Sequence, residues 1–548
     1  MVGVQGLTTG PLGGWLSTFL LTLFIILLLS GKFGGRPKNF PPGEWGFRWA
    51  EKDATGKSLM ILPFVGSLQC LPFGPSTEML RGLRKKYGDM ASFGILGNRL
   101  VLVSSVKLIK EVFSLPVTTQ RPDMVFTTTM SVVMTAGKSA ETGLAGSSGR
   151  EWQDQRRFVL HHLRDLGFGK SNYEPMMLEE ITELTDHLAK QEGEGKKLEI
   201  KHLFNRSILN ILWGMIMGKR YPYGDPRLAK VMKGMSQLED YNFLQTLHHI
   251  PYMLRLLPYL PVKTKDVTGI KASSKFLKEE IKALLADEDL RNGNNLTAIY
   301  VREIEKNESP SFNMDQLAGL IFDMFAAGQE TVSGTLCMGV YLIAKHPHVQ
   351  RRLQEELDDV VGTDNLPSML DVERLPYLQA TVYETQRLLN LVKYSLAHMA
   401  GEDCQLGGYD IPKGTWLLPN LDDAHTSPEY WKKPQEFDPQ NFLDENGKFK
   451  NNEAFIPFGV GRRVCIGASF AKMELLLFVS HLFQRFTVTV VEEMTPFSED
   501  NPSFNTPPNY TVSVKCRSQK DAALRRVTDL VGADKVGLSG PSSSAATR

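Results

Sequence analysis

Cysteine is scarce in this chain: five among 548 residues, with none in a C-x-x-C pair. Cys70, Cys337, Cys404, Cys465 and Cys516 are odd in number and scattered. That excludes a disulfide framework and a cysteine-built structural zinc site, and it predicts a reducing compartment around the body of the protein. Charge of one sign is lacking too. Lys and Arg number 62 against 61 Asp and Glu, a formal net charge of +1, so no global field points to nucleic acid as a partner. No G-x-G-x-x-G follows a strand-like run, so the chain has no dinucleotide-binding fingerprint of its own. Between residues 75 and 517 there is no repeat, linker or charge block to mark a second domain.

Charged side chains are also absent before Lys32. The stretch from Trp15 to Ser30 is almost wholly apolar, and with Leu12, Gly13 and Gly14 it approaches the ~20 residues that span a bilayer. Residues 1–31 therefore read as a membrane anchor. Lys32, Arg36 and Lys38 follow at once, which puts the body on the cytosolic side. A cleaved signal peptide fits less well, because no basic region precedes the run and the run is long. With a cytosolic body, the sequons at Asn205, Asn295, Asn307 and Asn509 are silent.

Residues 32–74 form a basic, proline-rich hinge with an insertion: Pro41-Pro42-Gly43 is stiff, and Trp45 to Met60 precedes Leu62-Pro63-Phe64-Val65-Gly66. Residues 75–517 read as one large domain, mainly α with small β-sheets, an α+β class. Ala91 to Leu96 and Leu100 to Val103 are strand-like, and the rest is mostly helical by periodicity. The tail, 518–548, ends in a Ser-, Ala- and Gly-rich run from Gly537 that reads as disordered.

One cysteine stands in an unusual setting, Phe458-Gly459-Val460-Gly461-Arg462-Arg463-Val464-Cys465-Ile466-Gly467, followed by a helical run from Ala468. A thiolate there sits just before a helix N-terminus, where free N–H groups and the helix dipole favour negative charge. Gly461 and Gly467 permit a tight turn and close approach of backbone N–H groups to the sulfur. Phe458 can shield the sulfur, and Arg463 can meet an anion. These are the needs of a cysteine that ligates haem iron.

The pattern F-x-x-G-x-R-x-C-x-G resembles the haem-ligand loop of the cytochrome P450 family, the haem-thiolate monooxygenases. The resemblance implies the cytochrome P450 fold, a single haem domain behind an N-terminal transmembrane helix, and haem b with Cys465 as axial thiolate. Further motifs extend the likeness over roughly residues 60 to 517, closest to the animal microsomal branch.

Ala327-Gly328-Gln329-Glu330-Thr331-Val332-Ser333 lies in the apolar run Leu317 to Ala344, which predicts a long buried helix. Gly328 costs ~1 kcal/mol relative to Ala in a helix interior, and a buried Glu-Thr pair is unfavourable unless satisfied. The resemblance implies that Thr331 and Glu330 manage proton delivery, and that Ala327 and Gly328 leave room for dioxygen. Glu384 and Arg387 share a helix face at i,i+3. In the family such a pair is buried and structural, and here Asn441 stands where a third partner is usually Arg. Trp152 and Arg156, at i,i+4, together with His398 and Arg463, match residues that contact the haem propionates in the family.

The resemblance implies a monooxygenase that hydroxylates or epoxidises a lipophilic small molecule. Without a flavin or nicotinamide domain, the chain needs a partner: NADPH–cytochrome P450 reductase, with cytochrome b5 as a second candidate donor. Arg462, Lys432 and Lys433 are candidates to dock it. The implied location is the endoplasmic reticulum membrane, with lipid contact through the anchor. A haem-thiolate isomerase or dehydratase and a non-catalytic haem-binding protein are the alternatives. Phe325, Ala326, Leu391 and Phe504 are pocket candidates, with the Arg121-to-Gly143 loop and its Met124, Phe126 and Met130. They do not identify the substrate.

Overall fold

The computed structural model describes residues 36–45, 75–222 and 265–517 with short gaps, the strand residues 48–52, 58–62 and 66–67, and residues 225, 254 and 255. The anchor expected over 1–31 and the tail expected over 518–548 lie outside the described residues. Among the described residues, no helix is long and apolar enough to cross a membrane.

The largest sheet begins with the short strands β1 (Gly43–Glu44), β2 (Arg48–Lys52), β3 (Ser58–Leu62) and β4 (Gly66–Ser67). The segment from Trp45 to Met60 thus contributes to an antiparallel hairpin, with Arg48 opposite Ile61 and Lys52 opposite Ser58. After helix α1 (Thr77–Tyr87), whose N-cap Ser76 accepts from Met79 N–H, come β5 (Met90–Ile95) and β6 (Asn98–Val103). These two are the strands legible in the sequence, paired antiparallel from Met90↔Val103 to Ile95↔Asn98. Phe93 and Leu102 are fully buried between elements, which is where aromatic and β-branched or branched apolar side chains stabilise a sheet.

Helices dominate from there: α2 (Val106–Ser114), α3 (Val125–Met134), α4 (Gly149–Asp165), α5 (Glu174–Gly193), α6 (Asn205–Met217), α7 (Lys265–Ala286), α8 (Glu288–Asn292), α9 (Leu296–Lys306) and α10 (Met314–Lys345). The strand β7 (Leu198–Glu199) lies between α5 and α6. Helix α10 is the spine predicted by the apolar run. Asn313 caps it by accepting from Gln316 N–H, the expected use of Asn at an N-cap. It packs on α6 and on two later helices, α12 (Pro376–Leu389) and α14 (Ala468–Arg485).

Helix α11 (Pro347–Val360) precedes α12. Next come β8 (His398–Met399), β9 (Cys404–Leu406), β10 (Tyr409–Ile411) and β11 (Trp416–Pro419), then the short helix α13 (Leu421–Thr426). Strand β11 joins β6 in parallel, with Trp416 opposite Leu100, and carries β8 to the far edge of the large sheet. After α14, β12 (Phe486–Glu492) pairs antiparallel with β13 (Thr511–Cys516) and completes a small sheet with β7. The result is a mainly helical domain flanked by sheets of short strands.

Candidate active site

The cysteine loop is held from two sides. Gly461 adopts φ +76°, and a Cβ there would lie 2.0 Å from the carbonyl oxygen of Phe113 at the end of α2. Only glycine meets both conditions. Arg462 and Arg463 lie in a 3₁₀ turn over Gly461–Arg463, and Gly467 is the N-cap residue of α14. Within the loop, Cys465 N–H donates to Phe458 O at 3.0 Å. Cys465 keeps an exposed face, yet the loop desolvates its sulfur enough to push the thiol above its ordinary range. The Gly467 N–H and the charge of Arg156 pull the other way. Coordination to a cation would complete the shift to thiolate.

A cationic cluster adjoins the loop. Arg156 donates to Val464 O at 2.7 Å. Arg463 donates to Thr119 O (2.9 Å), Leu144 O (3.2 Å) and Ser147 O (2.6 Å), and its guanidinium lies 3.9 Å from the Trp152 ring centroid. His398 is buried, with Nδ1 2.7 Å from Thr118 O. A carbonyl cannot donate, so Nδ1 carries the proton, and Nε2 can donate to a carboxylate only as imidazolium. Arg121 joins the cluster from the head of the loop before α3, donating to Leu396 O and Ala397 O at 2.7 and 2.8 Å. No motif marks Arg121 in the sequence; the fold recruits it across 275 residues.

These groups lack negative charge. Burial, and then Arg156, lower Arg121 to about 9. Burial, then Arg121 and Arg156, lower Arg463 to about 8, with only Glu141 opposing. Burial, followed by Arg121, depresses His398 well below its usual range. Arginine does not deprotonate in proteins, so these desolvated, mutually repelling guanidiniums favour an anion beside them. Trp152 Nε1 and Arg121 Nε are buried without a hydrogen-bond partner, a costly state unless an acceptor arrives. Two carboxylates would offer acceptors to Trp152 Nε1 and Arg121 Nε and counter-charge to the arginines, and haem carries two propionates. The residues present fit haem.

Helix α10 presents two different faces here. Phe325 and Gly328 turn toward α6: the Phe325 ring is buried 4.6 Å from that of Trp213, and a Cβ on Gly328 would lie 2.7 Å from Leu212 Cδ1. The space expected at Gly328 is thus taken by a neighbouring helix, and the glycine serves close packing. Ala327, Thr331 and Gly334 share the next stripe, at i, i+4 and i+7. Gly334 neighbours Leu391 Cδ1 and Pro507 Cδ, at 3.7 and 3.5 Å from a built Cβ. Asn505 N–H donates to Leu391 O at 2.8 Å, and Val392 bridges Phe504. Leu391, Phe504 and Pro507 therefore meet beside the turn that carries Thr331. Ala326 is half-buried, and Met124 and Met130 are buried around α3. Thr331 Oγ1 donates to Ala327 O at 2.7 Å, so its oxygen remains an acceptor. Glu330 Oε1 accepts from Gln329 Nε2 at 3.3 Å.

Glu384 and Arg387 are fully buried on α12 and joined by two 2.7 Å contacts. Arg387 also donates to His425 O, Pro434 O and Glu436 O. Glu384 Oε1 accepts from Asp438 N–H and from Asn441 Nδ2 at 3.1 Å. The neutral Asn441 completes the shell without a second cation, so the pair locks the segment from 425 to 441 onto α12.

A sequence model of the family described as Cytochrome P450 matches residues 57–514. The chain belongs to this family. Cytochrome P450 2L1 of Panulirus argus is 32% identical over 501 residues, covering 88% of this chain and 96% of that protein. Cytochrome P450 2D26 of Rattus norvegicus is 34% identical over 446 residues, 78% and 86% of the two chains. Cytochrome P450 2J1 of Oryctolagus cuniculus is 32% identical over 458 residues, 82% and 86%. Membership in the P450 family implies a haem-thiolate cofactor, and among the described residues Cys465 and its neighbours fit one.

Proposed function

We propose that this chain is a membrane-anchored haem-thiolate monooxygenase acting on a lipophilic small molecule. The carrying observation is the convergence of the Cys465 loop with the cluster of Arg121, Trp152, Arg156, His398 and Arg463, whose desolvated guanidiniums and unpartnered N–H groups suit a dicarboxylate cofactor. Bound haem would supply the activation of dioxygen, with one atom going to substrate and the other to water. Cys465 holds the iron, and Phe458, Gly461 and Gly467 shape its loop. The cationic cluster holds the propionates.

Thr331 and Glu330 hold and pass protons on the side of α10 that Leu391, Phe504 and Ala326 border. Electrons come from NADPH through a separate flavoprotein reductase, with cytochrome b5 as a second donor. Residues 1–31 anchor the chain in the endoplasmic reticulum membrane, 32–74 form the hinge, and 75–517 form the haem domain facing the cytosol. Arg462 is exposed beside the loop and available to an acidic partner, whereas Lys433 is engaged with Glu436 at 2.8 Å.

The decisive experiment has two stages. The dithionite-reduced protein with carbon monoxide gives the strongly red-shifted Soret band of thiolate-ligated haem, and Cys465→Ala loses it. With reductase and NADPH, a panel of lipophilic ligands that shift the spin state then yields oxygenated product. No haem band in folded protein would overturn the reading. Turnover of peroxides without NADPH would replace it with an isomerase or dehydratase.

A further inference from the structure

Helix α4 ends in a cluster that the chemistry around Cys465 does not use. His161, His162 and Asp165 each offer one ligand atom, and these atoms all lie within 4.8 Å of one another. The spacing brings this about: Asp165 is i+4 from His161 and i+3 from His162, so its carboxylate neighbours both imidazoles. His161 Nε2 and Asp165 Oδ2 are 3.2 Å apart. The two imidazole rings lie 4.9 Å apart at 70°. The His162 ring leans on Phe158 at 4.3 Å, and buried Phe158 is itself braced by Tyr300 and Phe312 at 5.1 and 5.2 Å. One ligand, half-buried His162, is therefore steadied against the core. The other two are exposed, open to entry from solvent.

We propose that His161, His162 and Asp165 form a surface site for a divalent transition-metal ion of the zinc class. Two imidazoles with one carboxylate suit Zn²⁺, Cu²⁺ or Ni²⁺, and disfavour Mg²⁺ and Ca²⁺, which require oxygen sets. Bonds of 2.0–2.1 Å in a tetrahedron put ligand atoms about 3.3 Å apart. The His161–Asp165 contact is already there, and rotation of exposed side chains closes the remaining gap. Water completes the coordination. Glu303 and Lys306 of α9 are the charged groups facing His162 from the neighbouring helix, and they are paired with each other at 2.7 Å.

The test uses the tag-free, haem-loaded protein after chelator treatment, titrated with ZnCl₂ by calorimetry and with CuSO₄ by electron paramagnetic resonance. The expected result is one micromolar zinc site per chain. His161→Gln and His162→Gln each weaken it by at least the ~10–100-fold that loss of an outer-shell partner already costs. The copper spectrum reports two nitrogen donors in wild type and one in either variant. His346→Gln/His348→Gln, which removes another neighbouring histidine pair with rings 5.9 Å apart, leaves the site intact. Zinc affinity unchanged in His161→Gln/His162→Gln, or no saturable binding by wild type, would overturn the proposal. The outcome is independent of turnover, so failure here leaves the monooxygenase reading untouched.

Discussion

The guanidinium of Arg463 lies face-on to Trp152, 3.9 Å from the ring centroid, while the indole Nε1 of the same tryptophan is buried without an acceptor. One residue thus does two jobs: its face steadies a cation beside Cys465, and its edge offers a proton to an anion. A cation–π contact of this kind contributes about 0.5–2 kcal/mol. Trp152→Phe keeps a ring and loses the N–H; Trp152→Ala loses both. Haem loss to an excess of a scavenging apoprotein is expected to accelerate in the order wild type, Trp152→Phe, Trp152→Ala. A Trp152→Phe rate equal to wild type would show that the tryptophan only fills space, and equal rates in all three would remove it from haem retention.

Thr331 makes its hydrogen bond within its own helix, to Ala327 O. Removing the hydroxyl therefore leaves no tertiary partner stranded, and Thr331→Ala should cost less than ~1 kcal/mol of stability. Its effect on turnover should be much larger, on the order of 10²-fold if the hydroxyl serves proton transfer. The expected signature is continued NADPH consumption with product replaced by reduced oxygen species, and recovery in Thr331→Ser. Product formation unchanged in Thr331→Ala would remove the residue from the proposed machinery.

Gly328 and Leu212 form a close helix–helix contact. Alanine is the better helix former by ~1 kcal/mol, yet Gly328→Ala is expected to destabilise by about 1–3 kcal/mol because the added carbon overpacks the α6–α10 seam. Truncating Leu212 to Ala costs about 2–5 kcal/mol alone. The double variant should be more stable than the sum of the two, and denaturant unfolding of the four proteins measures that coupling. Strict additivity would place the strain elsewhere.

His425 is buried and neutral, accepting Ile456 N–H at Nε2 (3.1 Å) and meeting Asn390 Oδ1 through Nδ1 (2.9 Å). Burial, and then the charge of Arg387, lower it to about 3, against ~6.5 in an unfolded chain. Below pH ~6.5 the unfolded state binds a proton that the native state refuses. The stability this group contributes is complete above that pH and is lost as pH falls toward about 3. Buried His481, lowered to about 4, acts in the same direction. The denaturant midpoint should drop through this window, and His425→Gln should flatten the drop while starting from lower stability at neutral pH. A parallel decline in wild type and variant would show that carboxylates dominate instead.

Much of the site was legible because its signals are local. The cysteine loop lies within ten residues, Glu384 and Arg387 are three apart, Trp152 and Arg156 four, and the apolar run that became α10 is continuous. Helical periodicity is enough to put such residues on one face. Arg121 was not legible, since nothing in its neighbourhood distinguishes it and its partners Leu396 and Ala397 are distant in sequence. Nor was the role of Gly328, because a glycine that leaves room for a ligand and one that leaves room for Leu212 look identical in a string of letters. The Trp45-to-Met60 segment read as an insertion, and became part of a hairpin only when Arg48, Trp49 and Glu51 paired with Ile61, Met60 and Leu59.

By itself, the sequence determined which candidate residues lie together along the chain: one cysteine before a helix N-terminus, an acid–alcohol pair in an apolar helix, and the i,i+3 pair of α12. These follow from covalent spacing and the 3.6-residue turn, and need no distant contact. Only the tertiary structure decided which face of α10 meets α6 and which meets Leu391 and Pro507, how Asn441 closes the shell of Glu384, and how three arginines and His398, from four separate segments, gather beside Cys465. Those outcomes depend on which surfaces exclude water together and on where buried charge can find a partner. Burial and Coulomb energy depend on distance in space, which spacing along the chain does not record.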